Sequence, residues 1–259
     1  SYESLASYNT YAKAEHTSQD AATLSEKWEN NSIDVAVVDP PYYGSIHYAE
    51  LSDIFYVIQK QYLQDVHPDI FSGKLSNKDD EAIANPARFD GLATGEHSQK
   101  ELADEYYEDK MEDIFGEIRE LLTEGGVMTV MFTHRDMDAW DTLTSALIKA
   151  GFTITATHPI KTEMSDRISM RGNASADSSI LLVGRKAADN ETESAPTLWE
   201  DIQADIHDVA EQEAKSILDS GFNISKTDTA ISAYGPTLQK YAQEHPVVNK
   251  KGEEIRPRE

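Results

Sequence analysis

The first strong apolar signal in the chain is the unbroken run Val35, Ala36, Val37 and Val38. Continuity of that kind predicts a strand covered on both faces, without a wet side. From Tyr48 the rhythm changes. Leu51, Ile54, Phe55, Ile58 and Tyr62 recur at helical spacing, which predicts a helix anchored behind the strand's end. A second helix is predicted from Glu101 to Leu122, with Met111, Ile114, Phe115, Ile118, Leu121 and Leu122 on one side and Gly125-Gly126 as its stop. "VMTVMF" then reads as a strand. Asp136 is placed to cap a helix carrying Trp140, Leu143, Leu147 and Ile148, closed by Gly151. "FTITATHPI" and "SSILLVGRK" predict two further strands separated by the polar stretch 162–177.

Strand, helix, strand, helix, strand, strand is an α/β order. Its last two strands have no helix between them, so they are expected to pair antiparallel. Ahead of the apolar run, "YAKAEHTSQDAATL" holds a candidate short strand ending near Asp20, and "ENNSID" reads as a turn. Residues 65–99 scatter Pro, Gly, Asn and Lys and predict a long loop with little structure of its own, a length that is uncommon unless functional or disordered. An acidic stretch of small residues, 187–196, reads as a linker. Beyond it, Leu198, Ile202, Ile206, Val209, Ile217 and Leu218 mark a long helix ending at Gly221, and "TLQKYAQEH" a shorter one. The organisation expected is therefore a domain over 1–186 and a helical appendage over 187–259. Long amphipathic helices usually bury their stripe close at hand, so the appendage is read as a brace on the domain.

Composition narrows the setting. The 259 residues contain no cysteine, which excludes disulfides, thiolate chemistry and zinc ribbons within the chain; no metal site is expected. No apolar run approaches the ~18 residues of a membrane span and no signal segment opens the sequence, which points to a cytoplasmic protein without a membrane partner. Asp and Glu number 47 against 23 Lys and Arg, a formal charge of −24 spread along the whole chain. Self-repulsion of that size is relieved by concentrated salt. With few lysines and much Ala, Thr and Asp, the composition points to a salt-adapted, haloarchaeal proteome. The rival is an acidic surface that avoids nucleic acid.

The chemistry concentrates at Asp39-Pro40-Pro41-Tyr42, directly after the apolar strand, where functional sites of open α/β sheets lie. The sequence is also an ordinary turn composition; the strand ahead and the helix behind favour function. The prolines fix φ and remove donors, so the corner is rigid and its carbonyls stay available. Asp39 carboxylate and the Pro40 carbonyl are two acceptors suited to the N–H bonds of an exocyclic amine. Holding both pulls the nitrogen out of conjugation and frees its lone pair for a sulfonium methyl group. Tyr42 can stack on a base that has left the duplex. No general base need precede transfer; orientation and preorganised polarity contribute most.

The motif resembles that of the amino-methyltransferases, Asp/Asn/Ser-Pro-Pro-Tyr/Phe. Together "SIDVAVVDPPYYGSIHYAELSDIFYVI", "GGVMTVMFTHRDMDAWDTLTSALIKAGFTITATHPIKTE" and "SSILLVGRK" resemble the adenine-specific DNA methylases of a large family that often carries a zinc ribbon. The match covers roughly residues 20–186, and "AISAYGPTLQKYAQEHPVV" is similar to that family's downstream segment. The resemblance implies a Rossmann-like sheet, S-adenosyl-L-methionine as cofactor, double-stranded DNA with a flipped adenine as partner, and a role in host defence or self-marking. It implies that Asp39, Pro40, Pro41 and Tyr42 are catalytic, and that Asp39 also lies near the cofactor. Asp20 would lie near the cofactor's adenine, or else simply cap a helix. His134, in "FTHR", would touch cofactor or base, or else be a loop histidine. Tyr43 joins Tyr42 as a candidate for substrate contact. Lys74, Lys78 and Arg88, with Arg167 and Arg171, would position the DNA strand, or else be solvated loop charges.

One part of that pattern is missing. The cofactor normally sits on a glycine-rich turn after the first strand, and no Gly-x-Gly occurs in this sequence. The expectation is a partial sheet that lacks its first strands, with the glycine-rich motif upstream or on a partner chain. The isolated 259 residues should then bind S-adenosylmethionine poorly. The alternatives that stay open are amine methylation of RNA, of cytosine N4, and a non-catalytic subunit that keeps the fold. The acidic charge opposes phosphate binding, and a few locally basic loops would be the compromise.

Overall fold

The computed structural model describes residues 14–92, 97–161, 178–187, 195–219 and 226–258. Four strands form one sheet: β1 (Ile33–Val38), β2 (Leu122–Phe132), β3 (Phe152–Lys161) and β4 (Ser178–Lys186), in the order β1-β2-β4-β3. β1 and β2 run parallel, whereas β4 is antiparallel to both of its neighbours. The expected α/β sheet ending in an antiparallel pair is the one that forms. The crossover between the parallel strands carries α1 (Tyr48–Leu63) and α2 (Gln99–Leu121), and α3 (Met137–Lys149) links β2 to β3.

The core lies where α2 and α3 meet the sheet. Tyr107, Met111 and Phe115 of α2, Trp140, Leu143 and Leu147 of α3, and Met128, Val130 and Phe132 of β2 are all buried. Each such side chain contributes ~1.5–3 kcal/mol relative to exposure. Both helices start on side-chain caps. Ser98 and Glu101 form a reciprocal capping box on α2, and the Asp136 carboxylate accepts from Asp138 N–H at the start of α3.

The carboxy-terminal segment leans on this core. In α5 (Lys226–Gln243), Ile231 and Leu238 join the main cluster. The helix runs through Gly235-Pro236 and is longer than the segment expected over "TLQKYAQEH". A Cβ at Gly235 would lie 2.9 Å from Thr157, so its absence lets α5 settle against β3. α4 (Trp199–Asp219) packs on α5 through Ile202, Ile206 and Tyr241, and β5 (Thr197–Leu198) pairs in parallel with β6 (Val247–Val248). The tail then returns to the domain, where Arg256 reaches Glu108 and Asp141.

Several expectations need correction. β1 is an edge strand whose one partner among the described residues is β2, and it does have a wet face: Val35 is 59% exposed and Val37 78%. α1 buries none of its residues. Its stripe of Leu51, Ile54, Phe55, Ile58 and Tyr62 is exposed, so it does not anchor the strand end by packing. Polar bonds tie α1 to the following loop instead, including Ser76 N–H to Asp53 (3.0 Å) and Ala49 N–H to Glu81 (3.0 Å). That loop is more ordered than expected: Phe71, Ala82, Ile83 and Ala84 are buried, and a 3-10 turn covers Pro86–Phe89.

Residues 14–20 form no strand, and Asp20 caps a 3-10 turn over Ala21–Glu26. β2 begins at Leu122, directly after α2, and Gly125-Gly126 fall in the register break between the Ile33 and Val35 pairings. The polar stretch 162–177, Gly221 and most of 187–196 lie outside the described residues. No helix among the described residues is long and apolar enough to cross a membrane.

Candidate active site

Asp39-Pro40-Pro41-Tyr42 leaves the carboxyl end of β1 beside the end of β2, where Phe132 and His134 stand. Together with Tyr48 at the start of α1, these four residues line a cavity of about 230 Å³. That is below the roughly 300–1,000 Å³ usual for ligand pockets, and the cleft opens to solvent with room for one planar ring. Tyr48 was not a sequence candidate; it read as the first apolar position of α1.

The corner is hydrogen-bonded in a way that separates used acceptors from unused ones. Tyr42 donates its hydroxyl to Asp39 Oδ1 at 2.7 Å. The Pro41 carbonyl accepts from Tyr43 N–H at 3.0 Å and from the Tyr107 hydroxyl at 2.7 Å. Ser45 N–H takes the Tyr42 carbonyl at 3.0 Å, and Ala84 N–H takes the Tyr43 carbonyl at 3.3 Å. Asp39 Oδ2 and the Pro40 carbonyl have no donor among the described residues. They are the two acceptors that the sequence singles out. Asp39 is exposed at the rim and Pro40 is buried beneath it.

Aromatic packing supports the corner from the core side. Tyr42 meets Phe132 edge-on at 5.4 Å, and Phe132 meets Trp140 at 5.0 Å. Contacts of this kind contribute ~0.5–1.5 kcal/mol each beyond burial. Tyr43 holds a left-handed backbone, φ 53°, which turns its ring inward against Tyr107 and His134. It is buried, and its hydroxyl donates to Asp104. Tyr43 therefore supports the corner from beneath and does not offer a face to substrate. Burial and then the Asp104 carboxylate push its phenol well above the ordinary tyrosine range. Lys100 bridges Asp104 of α2 to Asp138 of α3; burial alone would lower its pKa, but these two carboxylates raise it.

Gly44 follows this turn. A Cβ there would stand 2.7 Å from the Ala84 carbonyl, so the buried 82–85 segment can approach the corner only over glycine.

His134 sits beside the corner, stacked near Phe132 and edge-on to Tyr43. Its Nδ1 accepts from Asp136 N–H at 3.0 Å, which leaves the proton on Nε2 in the neutral ring. Burial lowers its pKa, so the ring is neutral and donates at physiological pH. Its carbonyl accepts from the Trp140 indole at 2.8 Å. The other candidates are not gathered here. Asp20 spends its carboxylate on Ala22 N–H. Lys78 pairs with Asp53 at 2.9 Å, and Arg88 lies 4.3 Å over the Tyr106 ring while bonding the Asp79 and Glu81 carbonyls. Lys74 is exposed on the loop beyond α1. Arg167 and Arg171 lie outside the described residues.

The sequence left Tyr107 and Asp104 unassigned, although both lie on the α2 segment "ADEYYEDKM", where one tyrosine falls on the buried stripe with Met111. Among the described residues nothing near the corner forms a glycine-rich cradle, and the cavity at the corner is open to solvent.

No protein-family model matches the sequence. No curated protein matches it. Among solved structures, the chain is similar to TTHA0409 of Thermus thermophilus, a "Putative DNA Modification Methylase", at 12% identity and a TM-score of 0.34 over 85% of this chain and 83% of that one. Against the same protein complexed with S-adenosyl-L-methionine, the figures are 13%, 0.35, 83% and 82%. Against its selenomethionine derivative they are 13% and 0.32, with the chain spanning 58% of that protein's length and 68% of its own. Similarity this low carries no inference about ligand or activity.

Proposed function

We propose that this chain carries the target-amine half of an S-adenosyl-L-methionine-dependent methyltransferase acting on N6 of adenine in DNA. One observation carries the proposal: Asp39 Oδ2 and the Pro40 carbonyl are the acceptors at the strand end left without a donor among the described residues, and Asp39 and Pro40 both line a cavity that can hold a single base. The two acceptors take the two N–H bonds of the flipped base's amine. Bound in this way the nitrogen pyramidalises, its lone pair leaves the ring's conjugation, and the proton it sheds after methylation departs past exposed Asp39. Tyr42, held by its bond to Asp39 and its contact with Phe132, covers the base. The contribution is positioning and fixed polarity. The cofactor, when bound, supplies an electrophilic methyl group.

The donor's cradle is assigned to a separate strand–turn–helix unit, upstream in the same polypeptide or on a partner chain. The flank of β1 supports that assignment. Thirteen of the seventeen large hydrophobic residues exposed among the described residues fall between 35 and 70, including Val35 and Val37 on β1 and Ile54, Phe55 and Ile58 on α1. Monomers rarely expose so concentrated an apolar band, and the edge of β1 that has no partner among the described residues offers backbone groups to a further strand.

The test supplies the native polypeptide that contains this chain with methyl-labelled S-adenosylmethionine and, separately, DNA and RNA. Label on DNA that disappears with Asp39→Ala supports the proposal. Label confined to RNA replaces DNA with RNA as substrate, and absence of transfer to either leaves a non-catalytic subunit.

A further inference from the structure

We infer that Tyr107 is a positioning residue that selects the Pro40 carbonyl as the backbone acceptor of the site; the inference rests on the methyl-transfer reading of the corner. Four consecutive carbonyls, from Pro40 to Tyr43, follow Asp39, and a target amine could in principle bond any that stays open. The structure closes three of them. The Tyr42 and Tyr43 carbonyls are taken by Ser45 and Ala84 N–H. A carbonyl oxygen has two lone pairs, and Pro41 spends one on Tyr43 N–H and the other on the Tyr107 phenol at 2.7 Å. Pro40 alone remains open among the described residues.

The Tyr107 bond is the longest-range of these closures, joining residues 66 apart in sequence and bringing α2 to the corner. The phenol is completely buried, so losing its partner would cost the full desolvation of both groups. Burial also pushes its pKa far above the ordinary range, so it remains a donor at every working pH. Its ring packs edge-on against Tyr43 at 5.7 Å, the residue whose left-handed backbone makes the turn. Hydroxyl and ring thus hold the Pro41 carbonyl turned into the core, which leaves the neighbouring Pro40 carbonyl without a donor among the described residues.

A positioning role differs from a merely structural one in which constant it moves. The two acceptors strengthen as the nitrogen pyramidalises, so loosening one of them acts on the transition state and lowers kcat more than it raises KM. The experiment compares wild type, Tyr107→Phe, Asp39→Asn and the double variant in the native polypeptide, with thermal unfolding recorded for each.

Tyr107→Phe is expected to lower kcat about tenfold, which corresponds to ~1.4 kcal/mol, with the KM for S-adenosylmethionine within twofold of wild type. In the Asp39→Asn background it should change kcat less than twofold, because both changes act on one amine. An active wild type whose kcat survives Tyr107→Phe overturns the inference while leaving the proposed function intact. A fall in kcat matched by equal losses in cofactor KM and in unfolding temperature overturns it also. A wild type that transfers no methyl group, or an Asp39→Ala variant that still does, overturns the methyl-transfer reading and this inference with it.

Discussion

Arg256 ties the end of the chain to the core, and its removal has a calculable consequence. Its Nη2 donates to Glu108 Oε2 at 2.7 Å and its Nε to Asp141 Oδ2 at 2.9 Å, with a further contact to Ser145 at 3.2 Å. The two carboxylate side chains are only 6% and 2% exposed. Breaking a buried pair by removing one partner typically costs ~3–5 kcal/mol. Two features reduce that figure here. Lys149 still neutralises Glu108 at 2.6 Å, and the Arg256 side chain is itself 34% exposed. Arg258 gives Asp141 much weaker cover at 3.9 Å. Arg256→Ala should therefore cost about 2–3 kcal/mol, or roughly 5–10 °C in Tm for a chain of this size.

Its pH dependence has a definite sign. Burial already raises the pKa of Asp141 against the pull of Arg256 and Arg258, and losing Arg256 raises it further. The folded variant then binds more protons than the unfolded chain above the ordinary aspartate pKa, so its stability falls as pH rises. Denaturant unfolding at pH 5 and pH 8 checks this, with the deficit of the variant larger at pH 8. A loss below ~0.5 kcal/mol, or the same loss at both pH values, would refute the buried-carboxylate argument.

Burial depresses the pKa of His134, so the unfolded chain takes up a proton near pH 6.5 that the folded chain refuses. Stability is complete above that value and is lost as pH falls below it; His134→Gln should flatten the fall in Tm between pH 6.5 and 5, with His245, depressed likewise by burial, leaving a residual slope. Ile54→Ser with Phe55→Ser should change the unfolding free energy of the isolated chain by less than ~0.5 kcal/mol, because both are already 65% exposed, yet improve its solubility in light scattering. Loss of stability would mean that α1 packs against the body of the domain after all. With 47 acidic against 23 basic residues, Tm should rise when KCl is increased from dilute to molar concentrations. A flat response would remove the argument that the charge reflects adaptation to salt.

What the sequence revealed, and what it concealed, follows from the range of the interactions involved. β2, α2, α3 and the β3–β4 hairpin were legible because their stripes and caps are local, and the faces they mark are covered within this chain. β1 and α1 carry equally clear stripes. Periodicity identifies residues that share a face; it does not say that anything covers that face, and Val37 and Phe55 are exposed. The 82–85 segment and the Tyr107–Pro41 bond depend on contacts between distant residues that no local pattern encodes. Lys78 and Arg88 looked like available charges because their partners, Asp53 and the Tyr106 ring, are also remote in sequence. The corner itself was legible because its turn chemistry is written in four adjacent residues. Which of its oxygens stay open was not.

The central claim is that Asp39 and the Pro40 carbonyl bind the amine that becomes methylated. The most direct test incubates the native polypeptide and its Asp39→Ala variant, matched for thermal unfolding, with labelled S-adenosylmethionine and DNA, then digests the DNA to nucleosides. The account predicts label on N6-methyldeoxyadenosine with the wild type and its loss by at least a hundredfold, ~2.7 kcal/mol, with Asp39→Ala. Label on another atom, or undiminished label with Asp39→Ala, would contradict it.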